Sequence, residues 1–246
     1  MSRRARLVLF GLGAVGLAVL WVVATGGLPP VGTDVHPYRD AAVAAAAAHA
    51  TANVVASINF DQRAVDTLGE ETILLASVVA VTTLLRPADD ERVEPPDPPP
   101  AVLPATRVAG WALLPVTLLV GADVVLHGHL TPGGGFQGGV VLATALHLLY
   151  LAGSFPALQW VRPTRWAPLV EPAGSGLFVV TGLVGLAAGA GFAANILPTG
   201  VLGAPLSSGT VLVLNVVAGI GVGASIVTLL GQFLRQEVVI GPEAAS

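Results

Sequence analysis

The sequence predicts an all-α, polytopic membrane protein with six transmembrane helices and a further helix, lateral or partly inserted, near 41–58. Three observations carry that expectation. The 246 residues are 54% hydrophobic and only 11% charged, with a mean hydropathy of +0.79, whereas a soluble domain carries about a quarter charged residues. Two long stretches hold no charge, Leu7 to Thr33 and the run between Glu171 and Arg235. The arginines flanking such stretches are unevenly distributed, as the positive-inside rule requires. The composition also excludes disorder, which needs low hydrophobicity and high net charge. With no cysteine, disulfides, iron–sulfur ligation, zinc–thiolate sites and a cysteine nucleophile are ruled out. A net charge of −4, built on arginine without lysine, offers no basic surface to nucleic acid.

A spanning helix needs about 20 apolar residues. The first span is expected at 5–25, behind Arg3, Arg4 and Arg6. A basic start before an apolar run also fits a signal peptide, but this run exceeds the ~7–15 residues of a signal core, so it reads as a retained anchor. The second span runs from Gly69 to Leu85, the third over 106–126 and the fourth over 136–153. The final charge-free stretch is too long for one crossing. Pro198, Gly200, Gly203 and Pro205 break it into a fifth span at 172–191 and a sixth at 209–231.

Residues 41–58 are helix-prone and uncharged, yet His49, Thr51, Asn53 and Ser57 interrupt the apolar pattern. If they cross, only Arg3, Arg4, Arg6 and Arg63 face the cytoplasm and the other seven arginines face out. If they do not, Arg86, Arg92, Arg107, Arg162, Arg165 and Arg235 join the first three inside, and only Arg39 and Arg63 lie outside. The second arrangement obeys the positive-inside rule. It gives six spans, both termini cytoplasmic, and a 41–58 helix lying on the outer side.

Residues 87–104 are rich in proline and charge and read as an extended linker. They divide the chain into a two-span module (1–86) and a four-span domain (105–246). The halves show no obvious repeat, so an inverted-repeat transporter is not indicated. Neither half alone offers enough helices for a transport pathway, so the chain reads as one part of a larger complex.

Two strings carry more information than hydropathy. The first half holds Asn53-Val54-Val55 and then Asp61-Gln62-Arg63-Ala64-Val65-Asp66-Thr67-Leu68-Gly69-Glu70. The second holds His127-Gly128-His129-Leu130-Thr131-Pro132-Gly133-Gly134-Gly135-Phe136-Gln137-Gly138-Gly139. The second string closely resembles the B subunit of Mrp (Mnh) multi-subunit sodium/proton antiporters. The first resembles the C-terminal end of the large A component of the same antiporters. That segment also stands as a small membrane subunit in energy-converting hydrogenases. The resemblance implies a subunit of a complex in the bacterial cell membrane that exchanges cytoplasmic Na⁺ for external H⁺. It implies other antiporter-complex membrane subunits and the lipid bilayer as partners, and no covalent chemistry or cofactor in this chain. It also implies a B-like domain of four spans with both ends cytoplasmic, the topology the arginines give. The A-like piece ahead of a B-like domain departs from the family pattern and leaves the make-up of the partner complex open.

The motif loop falls between spans three and four on the outer side. Gly133–Gly135 permit backbone angles closed to other residues, and Gly138 and Gly139 permit close helix packing. The loop reads either as a tight buried turn or as a backbone-lined ion entry, with carbonyls and the Gln137 amide facing a wet cavity. Without Gly-Lys-Ser/Thr, or a strand ahead of it, it is no nucleotide loop. Asp123, His127 and His129 have spacing that could supply three metal ligands; hydrogen bonds to loop carbonyls, or proton passage near neutral pH, is the preferred reading, and no metal is assigned. Asp123 lies about one turn inside a span, where charge is costly. It reads equally as a functional carboxylate or as one paired with a histidine at the interface. Asp66 and Glu70, with Glu71 beside them, open span two. Thr67-x-x-Glu70 fits a capping box, while carboxylates that close could share a proton, and Arg63 could pair with one of them. Glu171 caps span five ahead of Pro172 or ends a hydrophilic path. His147, mid-span, is a packing residue or a proton relay. Asn195 and Asn215 read as interhelical glue.

Two other roles compete with membership of an antiporter. One is the ion-translocating arm of a redox-driven complex of the membrane-bound hydrogenase type. The other is a purely structural role in assembly.

Overall fold

A computed structural model describes residues 3–28, 32, 34–85, 102–153 and 167–233. Residues 87–101 of the expected 87–104 linker and the side chain of Glu171 lie outside what is described, as do Arg86, Arg92, Arg162, Arg165 and Arg235. Among the described residues every regular element is helical.

The chain forms two compact units, Met1–Asp40 and Ala41–Ser246. The first holds α1 (Arg3–Gly26) and the start of α2 (Pro37–Ala48). Leucine and valine on all sides of α1 give its Leu7–Gly26 stretch a mean hydropathy of 2.6, with none of it buried within the chain. A helix apolar all round needs a non-aqueous neighbour. Pro37, with no N–H to satisfy, opens α2, and Arg39 pairs with Asp40 at 2.8 Å.

In the second unit, the segment expected as one helix near 41–58 is two helices with a turn between them. α2 ends at Ala48, and Ala50 takes a left-handed φ of 51°. Asn53 then caps the short α3 (Val54–Ser57), accepting from the amides of Val55 and Ala56. α3 runs directly into a π-helical turn, Ile58–Gln62. The polar residues that interrupt the apolar pattern mark this break.

α4 (Ala64–Leu84) starts earlier than the capping box requires. Thr67 therefore lies inside its first turns, and its hydroxyl donates to the Asn59 carbonyl at 2.7 Å instead of capping. α5 (Pro104–Leu126) begins on proline and contains Pro115. α6 (Gly135–Leu151) follows the glycine run. α7 (Ala167–Ala187) begins before Pro172, so that proline is interior, not the first helical residue. α8 (Thr210–Phe233) closes the described fold.

α8 is the hub, packed against α4, α5, α6 and α7. Its small residues allow this. A Cβ at Gly139 of α6 would lie 2.7 Å from the Gly219 carbonyl of α8, so the two backbones nearly touch. The core joins Ala56, Phe60 and Ala64 to Phe178, Ala193, Val211, Leu214 and Ala218. Within it the Phe60 and Phe178 rings pack tilted, with centroids 6.3 Å apart. By length and composition, three helices suit a membrane crossing: Leu7–Gly26, Pro104–Leu126 and Thr210–Phe233. Two shorter apolar helices, Gly135–Leu151 and Pro172–Ala187, accompany them.

Candidate functional site

The two sequence strings meet. The motif loop between α5 and α6 is held from two directions. Asn53 ties it to α3: the Asn53 side-chain amide donates to the carbonyls of Gly128 at 2.7 Å and Thr131 at 2.8 Å, and its backbone N–H donates to the His129 carbonyl at 3.0 Å. Asn215, fully buried in α8, accepts the Gly135 amide at 2.9 Å while its own amide donates to Val211. Gly133 and Gly134 take φ of 152° and 150°, a region that favours glycine. Asn215 is thus interhelical glue as expected. Asn195 is not: its carbonyl oxygen accepts the Thr210 amide and its amide donates to Ser208, so it tethers the loop entering α8.

Between the loop and the N-terminal string lies a cavity of about 290 Å³. Its walls are Ala56, Asn59, Phe60, Thr67 and Glu70 on one side and Gly133, Gly134, Gly135, Phe136 and Gln137 on the other. Glu70 brings the one carboxylate in this lining, and Gln137 an amide. Gly138 and Gly139 are buried just behind it, in the first turns of α6. Pro132 and Thr131 are exposed at the rim of the loop, with the Thr131 hydroxyl donating to His127. Of the candidates in the sequence, then, the structure gathers Glu70 and the glycine motif at one place.

The others stand apart. Asp66 is more than half exposed and paired with Arg63 at 2.5 Å. Asp123 pairs with His127 at 2.7 Å, both substantially exposed, so the histidine partner of one of its two readings is present. His129 is fully buried. Burial pushes its pKa below the ordinary value, only partly offset by the Pro205 backbone, with His127 pushing the same way and the Ala204 backbone opposing. No three histidine or carboxylate groups converge on a metal-sized site among the described residues. His147 is half-buried in α6, its Nε2 without a hydrogen-bond partner among the described residues.

Three features escape sequence reasoning. Glu71, not Glu70, is the buried carboxylate of α4, at 4% exposure; a Cβ at Gly221 of α8 would lie 3.4 Å from it. Consecutive helical residues point about 100° apart, so the register of α4 decides which one turns inward. Asn59 and Phe60, which line the cavity, lie in the π-helical turn. His49 and Asp61 pair at 2.5 Å across the same turn. The one signal in the sequence for this region is an Asn ahead of a short apolar run, which marks the cap of α3.

A helical bundle of this apolarity, closed around a polar glycine loop, is a multi-pass membrane protein that works within an assembly. A family model described as a domain related to the MnhB subunit of Na⁺/H⁺ antiporters matches residues 105–228, and the chain belongs to that family. An uncharacterized protein of Methanocaldococcus jannaschii is 26% identical over 208 residues, 76% of this chain and 79% of that protein. A probable K(+)/H(+) antiporter A/B subunit of Rhizobium meliloti is 29% identical over 211 residues, 73% of this chain but only 19% of that much longer protein. Among solved structures, a chain of the membrane-bound sulfane sulfur reductase, an archaeal respiratory membrane complex, superposes with a TM-score of 0.71 at 27% identity. The match covers 94% of this chain and 98% of that one. A chain of the Mrp complex from Dietzia sp. shares the fold, with a TM-score of 0.68 at 24% identity, over 98% of this chain and 27% of that one. The protein is a membrane subunit of a cation antiporter-like complex, with other membrane subunits as partners.

Proposed function

We propose that this chain serves a multi-subunit antiporter that exchanges cytoplasmic Na⁺ for external H⁺ in the bacterial cell membrane. It crosses the bilayer six times with both termini cytoplasmic, catalyses no covalent reaction and holds no cofactor. Residues 1–86 act as an A-like module and 105–246 as the B-like domain. The motif loop then faces outward, and the cavity beneath it is a vestibule on the ion or proton route. The observation that carries this reading is the cavity itself, because Glu70 from the first module and Gly133–Gln137 from the second line one wall each. A carboxylate facing backbone and an amide in a partly enclosed space can hold a desolvated cation or a proton, as intramembrane charges usually do. His147, Asp66, Asp123, His127, His129 and Glu171 are secondary candidates for the same route.

One observation favours a second reading. The likeness to the sulfane sulfur reductase chain runs over nearly the full length of both chains, which suits an ion-translocating arm of a redox-driven complex. Mass spectrometry of the native complex, purified in mild detergent through a tag on this chain, separates the two. Recovery of hydrophobic antiporter-like subunits alone supports the antiporter. Co-purification of soluble metal-cluster subunits overturns it in favour of the redox-driven arm.

A further inference from the structure

We propose that His49 and Asp61 form a proton-exchange dyad at the outer face, passing protons between the external phase and the cavity that holds Glu70. The inference rests on the exchange reading above. The His49 Nδ1 lies 2.5 Å from an Asp61 carboxylate oxygen, and the two side chains differ sharply in exposure, 44% for His49 and 7% for Asp61. One member thus meets solvent and the other is inside, the asymmetry a transfer site needs.

The π-helical turn sets this up. Its one-residue bulge aims Asn59 and Phe60 into the cavity while Asp61, the next residue, turns to His49; such bulges recur at functional sites. The pair is not the one tether of the turn. The Gln62 amide already ties it to the Ala42 carbonyl at 3.1 Å and to the Ser57 hydroxyl at 3.0 Å. A buried carboxylate kept where neutral hydrogen bonds already make the connection calls for another role, since burying charge is costly. Other titratable groups near the pair are few. The turn packs on α3, α4 and α8. α3 and α8 carry none; α4 carries Asp66, paired with Arg63, and Glu70 and Glu71. α2 carries Tyr38, Arg39 and Asp40, the last two paired with each other.

Imidazole is the natural carrier near neutral pH, and a small diffusible imidazole can replace one that mutation removes. The test uses the whole complex, purified through this chain and reconstituted in liposomes, with cation exchange driven by a pH step. In His49→Ala, exchange falls by about tenfold or more, the scale on which a positioned proton-transfer group acts, and added imidazole restores it. His49→Gln keeps a hydrogen bond to Asp61, so it assembles, but it exchanges slowly at every pH. Parental rates in His49→Gln overturn the dyad, whether or not the alanine variant assembles. So does a loss in His49→Ala that imidazole leaves unchanged. A parental complex that performs no exchange overturns the exchange reading and this inference with it.

Discussion

The side-chain amide of Asn53 donates to the carbonyl of Thr131 at 2.8 Å, across a separation of 78 residues. This contact and its neighbour to Gly128 join the two halves of the chain that resemble different subunits. The same side chain caps α3 with its oxygen, so one residue fixes a helix start and the motif loop together.

Asn53→Ala removes the cap and both donated hydrogen bonds. With about 1 kcal/mol for a cap and ~0.5–1.5 kcal/mol per hydrogen bond, it destabilises the fold by roughly 2–4 kcal/mol. Asn53→Asp keeps the cap but turns a carboxylate towards two carbonyls, so it is at least as harmful. Thermal unfolding of the detergent-solubilised chain measures both; an aspartate variant as stable as the parent would contradict the clamp.

Gly135→Ala and Gly138→Ala test the close packing of the loop. The added Cβ would lie 2.3 Å from the Asn215 carbonyl in the first case and 2.4 Å from a Val125 methyl in the second. Overpacking costs about 1–3 kcal/mol. Backbone yields less than a side chain, so Gly135→Ala is the more damaging of the two, read as a larger drop in melting temperature or in recovered complex.

The buried His129 gives stability a pH dependence of known sign. Its pKa is lowered in the fold from 6.5, so the unfolded chain binds this proton more readily. Its contribution to stability is fully present above about 6.5, and it is lost as pH falls through that value towards the lower folded pKa. Thermal melts between about pH 7.5 and about pH 5 should show a decline that His129→Gln lessens. A flat profile in the parent would contradict the burial of this ring.

Asp123→Asn removes half of an exposed pair. Such pairs contribute about 0–1 kcal/mol, so the variant melts within about 0.5 kcal/mol of the parent. A larger loss would place Asp123 in a role that its contact with His127 does not explain.

The long helices are legible in the sequence because each carries an extended apolar stretch; the segments expected as spans lie within about five residues, at either end, of α1, α4, α5, α6, α7 and α8. The motif loop is legible as a glycine turn. Its partners are not. Asn53 and Asn215 are far from it in the chain, and nothing in their local spacing says which carbonyls they meet. The start of α4 is easily misplaced because Thr67-x-x-Glu70 imitates a cap, whereas the π-helical turn ahead of Ala64 leaves no signature of its own. That shift of register also exchanges the roles of Glu70 and Glu71, since one faces the cavity and the other the core.

The central claim is that the cavity between the two sequence strings lies on the exchange route, and Glu70→Gln tests it most directly. Glu70 is exposed to the cavity and buries nothing, so the neutral isostere should leave assembly and melting temperature unchanged. The measurement is pH-driven cation exchange by the whole complex in liposomes. The account predicts a loss of about tenfold or more in a complex that assembles normally, in line with removal of a positioned ionisable group. Exchange at the parental rate, with the same pH dependence, would contradict it.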